Sequence, residues 1–182
     1  MRMSRRQSLA ALLMALLTTA PLLAGCGISV QSDERGHDAN VDIRTPLGSV
    51  SVQANGDTLP DTGLAVHPGA RRLRDREGDS ANVNIEGGFF GVKVAVAKFE
   101  DDQEPQALVD FYKQEMAKYG PVVECRGNLD FGGGRDATPR CQERSSGERQ
   151  LGVGHEEHHR VVSVKPRGNG TEFTLVHVQT QG

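Results

Sequence analysis

Asn82-Val83-Asn84-Ile85-Glu86-Gly87-Gly88-Phe89-Phe90-Gly91-Val92-Lys93-Val94-Ala95-Val96-Ala97-Lys98-Phe99 decides the fold. Asn82 to Glu86 alternates polar and apolar residues, the period of a strand with one face buried. The glycines at 87, 88 and 91 supply a turn. Val92 to Phe99 reads as a longer strand with one clearly apolar face. Phe89 and Phe90, set between glycines, are read as core residues closing the end of a sheet; the competing reading is an exposed hook for a partner.

A helix is expected next. Asp101 and Asp102 place negative charge at its start and Pro105 suits its first turn. Leu108, Phe111, Tyr112 and Met116 recur at helical spacing, while Asp110, Lys113, Gln114 and Lys118 fill the other faces. Gly120-Pro121 ends it. Val122 to Cys125 reads as a strand, with Cys141 returning beside it. Arg160 to Lys165 and Thr171 to Thr180 read as a terminal hairpin around Pro166-Arg167-Gly168-Asn169-Gly170. The order predicts an α+β fold, an antiparallel sheet with one main helix packed on a face.

Upstream, Val41 to Thr45 and Ser49 to Gln53 alternate around Pro46-Leu47-Gly48, a predicted β-hairpin. The rhythm is that of one β-solenoid rung, with no sustained repeat. Asn55 to Ser80 reads mostly as loop. Within it Arg71-Arg72-Leu73-Arg74-Asp75-Arg76 is read as a solvated turn offset by Asp75, Glu77 and Asp79, against the alternative of a phosphate or acidic-partner site.

The amino terminus carries an address. Met1-Arg2-Met3-Ser4-Arg5-Arg6 is basic, an apolar run starts at Leu9, and Leu23-Ala24-Gly25-Cys26 follows. This resembles a bacterial lipoprotein signal peptide ending in a lipobox. The resemblance implies lipidation at Cys26, cleavage just before it, and acylation of the new amino terminus. Thr18, Thr19 and Pro21 interrupt the apolar run, which argues against a permanent membrane-spanning helix of roughly 20 apolar residues. Acyl chains at roughly 0.8 kcal/mol per buried methylene would hold such a protein on a bilayer. Ser4-Arg5-Arg6-Gln7-Ser8-Leu9 also resembles a twin-arginine export signal, departing from it at Ser8, where that family prefers Phe. Gly27, in place of an Asp after the Cys, implies by the enterobacterial sorting rule an outer-membrane lipoprotein facing the periplasm.

Three segments are expected: a signal peptide over 1–25, a lipidated amino terminus and flexible tether over 26–40, and a single α+β domain with an N-terminal β-hairpin over 41–182. His67-Pro68-Gly69-Ala70, Phe99, Phe111-Tyr112-Lys113, Tyr119-Gly120 and Cys125 are similar to the pattern of an uncharacterised bacterial secreted module, which implies no activity. His67 stands where that pattern has Tyr.

Once Arg2, Arg5 and Arg6 are removed, 18 basic side chains face 24 acidic ones, a net charge of about −6 with His neutral. An acidic chain without Trp and with few aromatics argues against nucleic acid as a partner. The expected partners are the membrane, through Cys26, and another envelope protein. Cys125 and Cys141 are expected to form a disulfide in the oxidising envelope, closing a glycine-rich loop at a gain of roughly 3 kcal/mol. Their spacing is unlike that of a Cys-x-x-Cys redox pair.

His155-Glu156-Glu157-His158-His159 matches the His-Glu-x-x-His zinc-peptidase signature. That chemistry needs both histidines on one helical face, with Glu156 as base on a zinc-bound water. Gly152, Gly154 and the β-type run from Val161 leave room for barely one helical turn. A charged hairpin entry is the favoured reading, and His155, His158 and His159 are weak metal candidates that His177 could join. Gly132-Gly133-Gly134 lacks the residues of a phosphate loop. No catalytic residue and no cofactor is assigned. The leading expectation is a lipid-anchored cell-envelope binding or structural module without catalysis. The alternatives are a metal-dependent hydrolase using His155, Glu156 and His159, and a small-ligand or metal-sensing lipoprotein.

Overall fold

Alternating β-branched residues build long strands, and glycine-rich turns fold them into hairpins. The computed structural model describes residues 27–32, 39–54, 59–73, 80–132, 134, 138–144 and 147–182. Its elements are β1 (Gly27–Ser32), β2 (Ala39–Thr45), β3 (Gly48–Ala54), β4 (Arg71–Arg72), β5 (Ser80–Gly87) and β6 (Gly91–Asp101). The helix α1 (Pro105–Met116) follows, with a short 3-10 turn over Ala117–Tyr119. Then come β7 (Val123–Cys125), β8 (Gly127–Asp130), β9 (Arg140–Glu143), β10 (Arg149–His155), β11 (His158–Arg167) and β12 (Gly170–Gln181).

Ten strands form one sheet in the order β1-β2-β3-β5-β6-β12-β11-β10-β7, with β4 also against β6, and every pairing is antiparallel. β8 and β9 make a separate ribbon. Strands hold about 60% of the described residues and helical turns about 11%. The α+β class is therefore corrected: the described residues are mostly β, one large antiparallel sheet with, among them, a single 12-residue α-helix. The difference comes from strands that composition conceals. Gly152 and Gly154 lower the strand propensity of β10, and β1 is an edge strand whose Ile28 and Val30 stand in an otherwise polar stretch. Gly27–Ser32, part of the stretch read as a tether, pairs with β2 along its whole length.

The register gives the sheet two distinct faces. On the first, Ala97 and Phe99 of β6, Phe173 and Leu175 of β12, Val162 and Val164 of β11, and Leu151 and Val153 of β10 are all buried. Leu108, Val109, Tyr112 and Met116 of α1 complete that core. Phe99 and Phe173 stack at 5.2 Å, and Tyr112 leans on Phe173 at 5.5 Å. Lys113 and Arg149 both reach Glu124, tying α1 and β10 to β7.

On the second face the rows are also apolar. Ile28, Ile43, Val50, Ile85 and Val92 stand side by side across β1, β2, β3, β5 and β6. Val30, Val41, Val52, Val83, Val94 and Val178 form the next row. The β8–β9 ribbon covers the β10 end of this face. A Cβ on Gly152 would lie 2.7 Å from Leu129 Cδ1 and 2.9 Å from Phe131 Cζ, so any larger residue there would make these ribbon side chains shift. The expected Cys125–Cys141 disulfide is present, with Cα atoms 5.3 Å apart, and joins β7 to β9. Cys141 thus returns beside Cys125 through a bond between layers rather than as a neighbouring strand.

Candidate functional site

The histidine cluster sits at the tip of a hairpin. His155 ends β10, His158 begins β11, and the two oppose each other across Glu156-Glu157. Gly154 has φ +100°, and a Cβ there would lie 2.2 Å from the His158 carbonyl oxygen, so the hairpin requires glycine at this point. A strand alternates its side chains. His155 and His158 therefore belong to the first face and His159 to the second. The ring of His159 stacks on Phe131 at 4.1 Å, and its Nδ1 donates to the His155 carbonyl oxygen at 3.2 Å. The His-Glu-x-x-His geometry needs two histidines converging from one helical face, and here the hairpin separates them.

Sequence spacing missed the pair that does form. His158 Nε2 and His177 Nε2 approach to 2.9 Å, so one ring donates and the other accepts. Burial, then the positive charge of Arg160, pushes both rings below the ordinary histidine value. Burial also lowers His159, against the raising effect of its hydrogen bond to the His155 carbonyl. His155 Nδ1 is buried without a hydrogen-bond partner. Among the described residues, no group of three or more His, Cys, Asp or Glu side chains is arranged to hold a metal ion.

Arg160 is the pivot beneath these rings. Its Nε donates to the Thr62 carbonyl at 3.1 Å, and its guanidinium lies 3.7 Å from the centre of the Tyr119 ring. The Tyr119 hydroxyl donates to the Gly63 carbonyl. His67 closes the same segment at its other end, with Nδ1 2.8 Å from Asp101 Oδ2 and its backbone N–H donating to the Tyr112 hydroxyl. Residues 59–70 are thus clamped onto the sheet and helix. In the arginine run, Arg71 forms a bidentate pair with Asp102 and also reaches Glu100, while Arg72 Nε donates to Ser80 Oγ. Arg74 to Asp79 lie outside the described residues.

The phenylalanine reading is corrected. Phe89 is 96% exposed and Phe90 57% exposed, at the turn between β5 and β6. Leu47, at the turn between β2 and β3, is 85% exposed. Those turns lie outside the edge of the core, so nothing in the sheet reaches over them. Cys26 and the signal segment lie outside the described residues, but Gly27, directly after Cys26, begins β1. Among the described residues, no helix is long and apolar enough to cross a membrane.

In comparisons with known proteins, the chain matches no family, no curated protein and no solved structure. The lipobox and the secreted-module pattern accordingly rest on the residues quoted for them.

Proposed function

We propose that this chain is a lipid-anchored module of a bacterial cell envelope, held to the outer membrane through Cys26 and serving to bind or support another envelope protein. The observation that carries this reading is Leu23-Ala24-Gly25-Cys26 behind a basic and then an apolar segment. The start of β1 at Gly27 fits it, because the folded part then begins one residue after the acylated position. The Cys125–Cys141 disulfide fits an oxidising compartment. The separation of His155 from His159 across two faces of a hairpin supports a role in binding or support over a hydrolytic one.

The test is metabolic labelling with an alkyne fatty acid, followed by mass spectrometry of the amino-terminal peptide. Label on a peptide beginning at Cys26, lost in Cys26→Ala, is the expected result. An unmodified Cys26 within a longer or differently cut chain would remove the reading. The binding role is tested by cross-linking in the native envelope. A partner lost when residues 39–182 are deleted but the anchor is kept is expected, and recovery equal to an anchor-only control counts against it.

A further inference from the structure

Three hairpin tips and the amino-terminal strand meet at one end of the large sheet. Gly27 pairs with Arg44, and Thr45 with Gly48 around the turn that carries Leu47. Gly48 then pairs with Gly87, and Glu86 with Gly91 around the turn that carries Phe89 and Phe90. Gly91 pairs with Gln181 at the end of β12. Leu47, Phe89 and Phe90 therefore stand in line with the point where the chain leaves Gly27 toward Cys26. Cys26 directly precedes Gly27 in the sequence.

Apolar exposure is concentrated there. Seven large apolar side chains are exposed among the described residues: Ile28, Val30, Leu47, Leu59, Val66, Phe89 and Phe90. Two of them lie on β1 and three on these two tips. The apolar row from Ile28 to Val92 continues the patch onto the second face. The opposite end lacks such a patch: there Glu172 holds Lys98, Lys165 and Arg167 where the sheet ends at Asp101 and Thr171, while at the apolar end Arg44, Glu86 and Lys93 flank the tips. The third tip at the apolar end, Glu156-Glu157, is acidic and bounds the patch on its far side.

We infer that this end of the sheet rests against the bilayer that holds the acylated Cys26, with Leu47, Phe89 and Phe90 entering its interfacial region. The inference rests on the lipoprotein reading above. The strand spacing puts the Phe89 turn roughly 17 Å from β1, and the Leu47 turn between them, so anchor and tips form a line of contacts rather than one point. Single exposed apolar residues are ordinary on a protein surface, whereas a cluster beside a membrane anchor marks an interaction surface. Phe suits that depth, since the interface takes an apolar face into the boundary between headgroups and acyl chains. The mature chain is acidic, so the attraction is apolar and a zwitterionic surface suffices. A fixed footprint of this kind holds the sheet upright and presents the opposite end, α1 and the clamped 59–70 segment away from the membrane.

The chain has no Trp, so one introduced Trp reports alone. The full-length lipoprotein is purified from membranes as Phe89→Trp, Leu47→Trp and Val66→Trp. Val66 precedes His67, which bonds Asp101 at the opposite end of β6, roughly 33 Å away along the strand. Each variant is placed in phosphatidylcholine vesicles with and without brominated acyl chains, after its amino-terminal peptide has been weighed. Acylated protein in which Phe89→Trp and Leu47→Trp lose emission about twofold on brominated lipid, and Val66→Trp does not, is the expected result. Acylated protein with no quenching at either tip overturns the footprint and leaves the anchor standing. Blue-shifted emission without quenching also overturns it, and assigns the tips to a second copy of the chain. Equal quenching at all three positions overturns it as unoriented adsorption. Protein with no acyl group on Cys26 overturns the lipoprotein reading, and the footprint with it.

Discussion

The two halves of the large sheet follow the same alternation and reach opposite outcomes. In β6, β10, β11 and β12 the part of one face that packs with α1, from Ala97 and Phe99 to Leu151 and Val153, is almost fully buried. In β1, β2 and β3 no described residue is buried, although Val41, Ile43, Val50 and Val52 line one face. The difference teaches that a period of two reports an apolar face and not what covers it. β6 shows this within one strand. Val92, Val94 and Val96 look like its core face, yet Ala95, Ala97 and Phe99 are the buried residues. Small alanines beside a single Phe leave room for Tyr112 and Met116 of the helix, which larger side chains would fill.

The largest expected effect separates the halves directly. Phe173→Ala removes a fully buried ring between Phe99 and Tyr112 and should cost about 3–5 kcal/mol in urea unfolding. Val52→Ala, on the half-buried face of β3, should cost about 1 kcal/mol or less. Equal losses would break the comparison, because they would mean that the N-terminal half is covered in solution.

Removing the disulfide tests the second face, where the β8–β9 ribbon lies over Gly152. Cys125→Ala with Cys141→Ala should cost roughly 3 kcal/mol. Hydrogen exchange should then quicken at Leu129 and Phe131 ahead of β12. Uniform acceleration across both halves would show that the ribbon and the sheet unfold as one unit. Arg160→Met comes next. It leaves the Thr62 carbonyl without its charged donor and the Tyr119 ring without the nearer of its two cations, a loss of about 2 kcal/mol expected to appear first as faster exchange over residues 59–70.

Local chemistry made the middle of the chain readable before its neighbours. The β5–β6 hairpin, the helix after Pro105, the β11–β12 hairpin and the disulfide all follow from alternation, helical spacing behind a first-turn proline, turn residues and cysteine spacing, whereas Asp101 and Asp102 pair with His67 and Arg71 rather than capping the helix. β1 was hidden because Gln31 and Ser32 look like tether, and only its pairing with Val41 and Ile43 makes it a strand. β10 was hidden because its glycines serve the ribbon above it and the turn beside it, neither of which is local information. The His-Glu-x-x-His match was readable as a string, and its flanking glycines already argued for a hairpin. The His158–His177 contact joins residues 19 apart on the two strands of the terminal hairpin, so the predicted hairpin brought His177 near, and only the register pairs it with His158. Phe89 and Phe90 misled because a bulky pair near a strand end is usually core; their exposure depends on where the core stops.

The smallest effect lies on the border between the halves, where His177 of β12 meets the first face beside Asn82 and Ala95. His158, His159 and His177 all bind protons less readily in the folded protein than the ordinary value near 6.5. The unfolded chain therefore takes up protons first as pH falls. Their contribution to stability is complete above about 6.5 and is lost as pH drops from there toward the folded values. The lowered carboxylates, Glu115 and Glu124, begin to matter only nearer 4.5, so the interval from about pH 7.5 to 5.5 isolates the histidines. Urea midpoints should fall across that interval, and His158→Gln with His177→Gln should flatten the fall. Arg160→Met should flatten it less, because burial is the first cause of both shifts and the arginine charge the second. A slope unchanged in the double histidine variant would place the proton uptake elsewhere. It would also mean that the border between the covered and uncovered halves carries no titration of its own.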